Sequence, residues 1–172
     1  YESKDIVYSF DNGFTIVDVN TEADIRTEGD KMGHCVGNYC DAVAAGRMDI
    51  YSLRDKKNKP HATIEVRPAP VKQRYKSFGG QRAGGFVEQI KGFGNSKPKD
   101  KYRLMVLQWL KTTDFEYKNS PDYLNLLSQE EIVNKLFAGE LKKETELNMM
   151  STSEEPEVLN FFIEQLIAQS RV

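Results

Sequence analysis

Residues 31 to 66 and 87 to 95 hold a set of polar side chains of catalytic type inside otherwise apolar segments: His34, Cys35, Arg54, Glu65, Gln89, Lys91 and Asn95. Burying such groups costs free energy unless they are paired or used. Histidine moves protons near neutral pH, and a glutamate can act as a base or as a carboxylate ligand. These positions are therefore a candidate site, with His34, Arg54, Glu65, Gln89, Lys91 and Asn95 as its expected lining. The types alone do not name the reaction.

Strand alternation groups several of them. Ile50 to Arg54, Ala62 to Arg67 and Phe86 to Lys91 read as strands. Side chains alternate across a sheet, so Ser52 with Arg54, Thr63 with Glu65, and Gln89 with Lys91 each share a face. Leu53, Ile64 and Ile90 point the other way. If the three strands are neighbours, Arg54, Glu65 and Lys91 form a charged cluster. The plainer alternative is a solvent-facing sheet crossed by salt bridges.

A helix is expected over 30–46, closed by Gly46, with Met32, Cys35, Val36, Tyr39 and Val43 as its apolar stripe. Cys35 on that stripe reads as a buried structural thiol. His34, Asn38 and Asp41 share a second face, which would orient the imidazole. Gly33, Gly37 and Cys40 make a small third face for close packing; a helix-interior glycine costs about 1 kcal/mol relative to alanine. Cys35 and His34 are adjacent on a helix and diverge by roughly 100°, which disfavours a Cys–His nucleophile pair. A thiol activated by His61 is the weaker alternative. No CxxC spacing occurs, and no metal site is expected. Gly79-Gly80 and Gly84-Gly85 lie in a basic loop without a Walker or dinucleotide pattern, so the cofactor is left unknown.

The remaining elements frame this region. Asp11-Asn12-Gly13 between apolar runs predicts a hairpin over 6–19, and Asn20 or Thr21 caps a short helix through Ile25. Lys99 to Lys111 is amphipathic, with Tyr102, Val106 and Trp109 or Leu110 inward. Ser128-Gln129-Glu130-Glu131 carries a capping-box pattern for a helix ending near Gly139. Residues 142–152 are polar, and a last helix is expected over 153–169. The expected fold is α+β: a small, mainly antiparallel sheet covered by helices 30–46 and 99–111, with a helical C-terminal extension. The expected division is a core over 1–118 and an acidic extension over 119–172.

With 172 residues, 39% hydrophobic and 29% charged, the chain can bury a core without staples. No apolar run approaches the roughly 18 residues of a membrane helix, and no membrane partner is expected. Two cysteines read as free thiols in a reducing cytosol, so the expected location is cytoplasmic. No signal peptide is visible, and Tyr1 as first residue suggests that upstream residues are missing. The net charge of −2 conceals an asymmetry. Arg67, Lys72, Arg74, Lys76, Arg82, Lys91, Lys97, Lys99, Lys101 and Arg103 make the middle basic, while the tail is acidic. Basic stretches track phosphate backbones. The alternative is two solvated surfaces that attract each other.

Four blocks resemble the PcfJ-like proteins, a family of conjugative elements, phages and prophages: Met32-Gly33-His34-Cys35-Val36-Gly37-Asn38-Tyr39, Ile50-Tyr51-Ser52-Leu53-Arg54, Thr63-Ile64-Glu65-Val66, and Gln89-Ile90-Lys91-Gly92 with Asn95. The similarity is read over about 20–115. The resemblance implies an accessory protein of a mobile element and DNA processing or transfer; it assigns no catalytic residue and leaves open whether the protein is an enzyme. The expected function is therefore nucleic-acid binding, with processing as its extension. The alternative is a non-enzymatic module that inhibits or adapts a host protein through the acidic tail.

Lys72, Arg74, Lys76 and Arg82 are the expected nucleic-acid contacts, with Tyr75, Phe78 and Phe86 interleaved for stacking on bases. Replacing Lys72, Arg74 and Lys76 with Glu is expected to abolish binding of single-stranded DNA or RNA while the thermal unfolding curve is unchanged. Fluorescence anisotropy against salt checks this. Undiminished binding by the triple variant would remove the loop from the interface.

Overall fold

The computed structural model describes residues 5–34, 39–69 and 84–140, and the backbone of 77–78 and 81–82. The chain divides into two units, residues 1–126 and 127–172. The first is an α+β unit. In chain order it contains β1 (Ile6–Ser9), β2 (Thr15–Asp18), α1 (Glu22–Met32), α2 (Tyr39–Ala44), β3 (Asp49–Arg54), β4 (Pro60–Pro68), β5 (Ser77–Phe78), β6 (Gln81–Arg82), β7 (Gly85–Lys91) and α3 (Asp100–Leu110). Short 3-10 turns cover Phe93–Asn95 and Tyr123–Leu126. The main sheet is antiparallel in the order β1-β2-β3-β4-β7; β5 and β6 form a separate small hairpin. The three strands expected to be neighbours are neighbours. Ser52 pairs with Thr63, Thr63 with Lys91, and Glu65 with Gln89.

One face of the sheet is apolar. Tyr51, Leu53, Ala62, Ile64, Val66, Val87 and Ile90 pack against Val106, Trp109 and Leu110 of α3. Both Trp109 and Leu110 are inward and fully buried. Val87 and Ile90 share this face although three residues apart, because the register shifts between Glu65 and Val66 and leaves Glu88 as the extra residue. The bulge resets the alternation, so Gln89 and Lys91 turn to the opposite, polar face.

The polar face lies under α1. Thr21 caps this helix, its hydroxyl accepting from the Asp24 amide at 3.2 Å. The helix does not stop at Ile25 but runs to Met32. Nor does a single helix span 30–46: Gly33 is left-handed at φ 65° and ends α1. The Gly33 and His34 amides both donate to the Gly29 carbonyl, the latter at 3.2 Å, which is the Schellman closure. A shorter helix, α2, begins at Tyr39. With it, Cys40, Val43 and Met48 pack on a small core of Val19, Ile25 and Ile50. His34 lies beyond the end of α1 and so shares no helical face with Asp41; Asn38, the third residue of that expected face, lies outside the described residues. The Cys35 expectation lies outside the described residues; Cys40 is a free thiol.

The β3–β4 turn is built on Asp55. Its carboxylate accepts from the Lys57 and Lys59 amides at 2.8 and 3.0 Å and meets His61 Nε2 at 2.8 Å. The His61 hydrogen bond, aided by those amides, holds the Asp55 carboxyl down to about 2.

The outer edge of β7 is sealed by the segment after α3. Glu116 donates to the Gly85 carbonyl and accepts from the Val87 amide. Asp122 Oδ2 then accepts from the Ile90 amide at 2.8 Å, and Asn125 Nδ2 donates to the Ile90 carbonyl at 2.7 Å. Two side chains thus stand in for a sixth strand. Residues 119–126, expected in the extension, lie in the first unit.

Of the second unit, residues 127–140 are described. They contain α4 (Gln129–Phe137), capped by Ser128, whose hydroxyl accepts from the Glu131 amide. Ile132, Val133 and Leu136 are buried, and Gly139 is left-handed just beyond the end. The helix expected over 153–169 lies outside the described residues. Among the described residues, no helix is long and apolar enough to cross a membrane.

Asn125→Ala is expected to lower the unfolding free energy by about 1–3 kcal/mol by leaving the Ile90 carbonyl without its partner. Urea unfolding with an unchanged midpoint would count against the seal.

Candidate functional site

The site starts from a charge in the middle of α1. Glu28 lies on the inward stripe between Ile25 and Met32 and is fully buried. Its Oε1 accepts from Ser52 Oγ and from Arg54 Nη2, each at 2.8 Å; its Oε2 accepts from Thr63 Oγ1 at 2.7 Å. Arg54 Nε donates to Ser52 Oγ at 2.6 Å, and Nη1 donates to the Asn58 carbonyl at 3.2 Å. Asn58 is itself left-handed, at φ 65°, which places it in the turn within reach of the guanidinium. Among the described residues, no buried side-chain nitrogen or oxygen lacks a partner.

This network ends at an imidazole. His34 Nε2 lies 3.1 Å from Thr63 Oγ1. The threonine has one hydroxyl proton, and the Glu28 carboxylate takes it. The Thr63 oxygen is therefore the acceptor, Nε2 carries the hydrogen, and Nδ1 is the nitrogen that can receive a proton. The Schellman closure fixes His34 from behind, since its amide is tied to the last turn of the helix that carries Glu28. Burial lowers the His34 pKa below 6.5, against the pull of Glu28 and of its own backbone carbonyl, so the neutral ring predominates at pH 7.

His34, Tyr39, Ile50, Thr63, Glu65, Gln89, Lys91 and Asn95 line one pocket on the polar face. Glu65 is half-buried in it. Burial raises its carboxyl pKa above 4.5; Tyr39, bonded to it, opposes this, and the negative charges of Glu88 and Asp122 add to the rise. Lys91 Nζ donates to Asp122 Oδ1 at 3.2 Å, which leaves two of its ammonium protons for another acceptor. One pocket thus contains a base of lowered basicity, an acid of raised pKa and a held cation. That combination can move a proton in and another out.

The structure brings together five of the six expected lining residues: His34, Glu65, Gln89, Lys91 and Asn95. Arg54 is the exception. It is 1% exposed and paired with Glu28 rather than with Glu65, so it lies behind the pocket. Its parity on β3 was legible, but its partner was not. Of the basic middle, Arg67 pairs with Glu88, Arg103 with Asp100, and Lys91 with Asp122. Lys72, Arg74 and Lys76 lie outside the described residues, as does the side chain of Arg82.

Residues missing from the sequence reading are Glu28, Ser52 as its ligand, Thr63 as the bridge to His34, and Tyr39. The available signal was a glutamate seven residues after Thr21, on the same helical face as Ile25 and Met32.

The family model described as PcfJ-like protein matches residues 2–76. The resemblance therefore holds over this segment, which carries Glu28, His34, Arg54, Thr63 and Glu65; the fourth motif block, with Gln89 and Lys91, falls beyond it. No curated protein and no solved structure matches the chain.

Removing one partner of a buried ion pair leaves the other charge unsatisfied. Glu28→Ala is expected to cost about 3–5 kcal/mol of stability, measured by chemical unfolding. A loss below about 1 kcal/mol would show that the pair is as weak as a surface one.

Proposed function

We propose that this chain is an accessory protein of a mobile genetic element that binds nucleic acid and processes it by general acid–base chemistry in the His34–Glu65 pocket. The observation that carries the reading is the opposed tuning of His34 and Glu65 within one pocket, with the His34 tautomer set by Thr63. Neutral His34 takes a proton from the attacking hydroxyl or water through Nδ1. Protonated Glu65 gives one to the departing oxygen. Lys91, anchored by Asp122, faces the phosphate oxygens with its remaining protons. The resemblance to PcfJ-like proteins over 2–76 supports the mobile-element setting.

The test is cleavage of labelled single-stranded RNA and DNA, with binding followed separately against salt. His34→Ala and Glu65→Gln are each expected to lower turnover by about 10²–10⁴ with little change in affinity. The pH profile has a definite sign. The productive form has His34 deprotonated and Glu65 protonated. Activity should fall at low pH as His34 gains a proton, with a midpoint below 6.5, and at high pH as Glu65 loses one, with a midpoint above 4.5. An acid limb centred above 6.5 would contradict the assignment. Absence of any nucleic-acid binding at low salt would favour a non-enzymatic module acting on a host protein.

A further inference from the structure

Phe93 stands on the turn that follows β7 and is 69% exposed. Single exposed apolar residues are ordinary on protein surfaces. This one differs in how it is held and where it is held. The Gly92 amide donates to the Ser96 carbonyl at 2.7 Å, and both the Ser96 amide and hydroxyl donate to the Phe93 carbonyl. Gly94 and Asn95 are both left-handed, at φ 62° and 61°, and for the asparagine this is an uncommon conformation. A closed turn of this kind fixes where the Phe93 side chain leaves the backbone.

The ring lies against the end of α1. A Cβ built on Gly33 would come within 3.3 Å of the Phe93 Cε2 and Cζ atoms. Gly33 directly precedes His34, and Asn95, two residues after Phe93, lines the pocket. The ring is therefore held beside residues that adjoin two lining side chains of the pocket, His34 and Asn95. A flat, apolar surface beside a polar, proton-transferring pocket suits a ligand with a flat ring at one end and a charged or hydroxylated part at the other.

We propose that Phe93 is a stacking platform for one unpaired nucleobase, with the attached sugar and phosphate entering the His34–Glu65 pocket. The inference rests on the nucleic-acid reading above and narrows its substrate to single strands, because a base held in a duplex cannot present its face to the ring.

The probe is a fluorescently labelled RNA dodecamer without self-complementarity, compared with the same sequence annealed to its complement. The chain is used whole, with Phe93→Leu and Phe93→Trp as variants. Leucine keeps an apolar side chain and removes the ring, and thermal unfolding of each variant checks that the fold is kept. Stacking is worth about 1–3 kcal/mol per base, so Phe93→Leu should weaken single-strand binding about 5- to 150-fold, while Phe93→Trp keeps it. The slope of affinity against salt should stay the same, because no phosphate contact is removed. The annealed duplex should bind more weakly than the single strand and lose nothing on Phe93→Leu. Single-strand binding that is equal in wild type and Phe93→Leu overturns this inference and leaves the nucleic-acid reading standing. Failure of the wild-type chain to bind either form overturns both.

Discussion

The buried carboxylate of Glu28 is the constraint on which the rest of the first unit depends. An ionised group at 0% exposure is tolerable only when its charge is matched and its lone pairs are used. Arg54 supplies the charge, and Ser52, Arg54 and Thr63 supply the donors. These donors come from two adjacent strands, so α1 can satisfy its own glutamate at only one position along and one rotation over the sheet. Apolar packing would allow a helix to slide by small amounts at small cost; a three-donor carboxylate does not. The end of α1 is then fixed as well, and with it the residue that follows Gly33.

The sheet separates two kinds of requirement between its faces. The face under α3 is filled by apolar residues and holds the strands together. The other face carries the polar network, then the pocket. The register shift at Glu88 is what lets β7 serve both, since without it Val87 and Ile90 could not both be buried while Gln89 and Lys91 look into the pocket. Lys91 is further steadied from outside the sheet by Asp122, the same carboxylate that binds the Ile90 amide. One aspartate thereby couples the edge of the fold to a side chain of the pocket.

Much of this was legible in the chain, and the exceptions have physical reasons. Period-two alternation identified the three central strands and the shared face of Glu65, Gln89 and Lys91, because a half-buried strand imposes its pattern on every residue. The helices were harder. Gly33 was read as a costly interior glycine when its left-handed φ makes it a terminator, and the two conformations leave similar marks in sequence. Glu28 fell between a helix ended too early at Ile25 and another begun at 30. Its role depends on Ser52, Arg54 and Thr63, more than twenty residues away, a separation that no local pattern encodes. The Asp122 and Asn125 contacts are equally non-local: short polar side chains in a loop look like ordinary turn formers until the strand they border is known.

The capped edge of β7 also limits how copies of this protein can associate. Growth of a fibre by strand addition needs two receptive borders on every copy, one to accept and one to offer. Here one border is occupied by Glu116, Asp122 and Asn125 of the same chain, so the main sheet has at most one left. Joining copies of the main sheet through that single border closes after a pair, and among the described residues the main sheet offers no second end from which to continue.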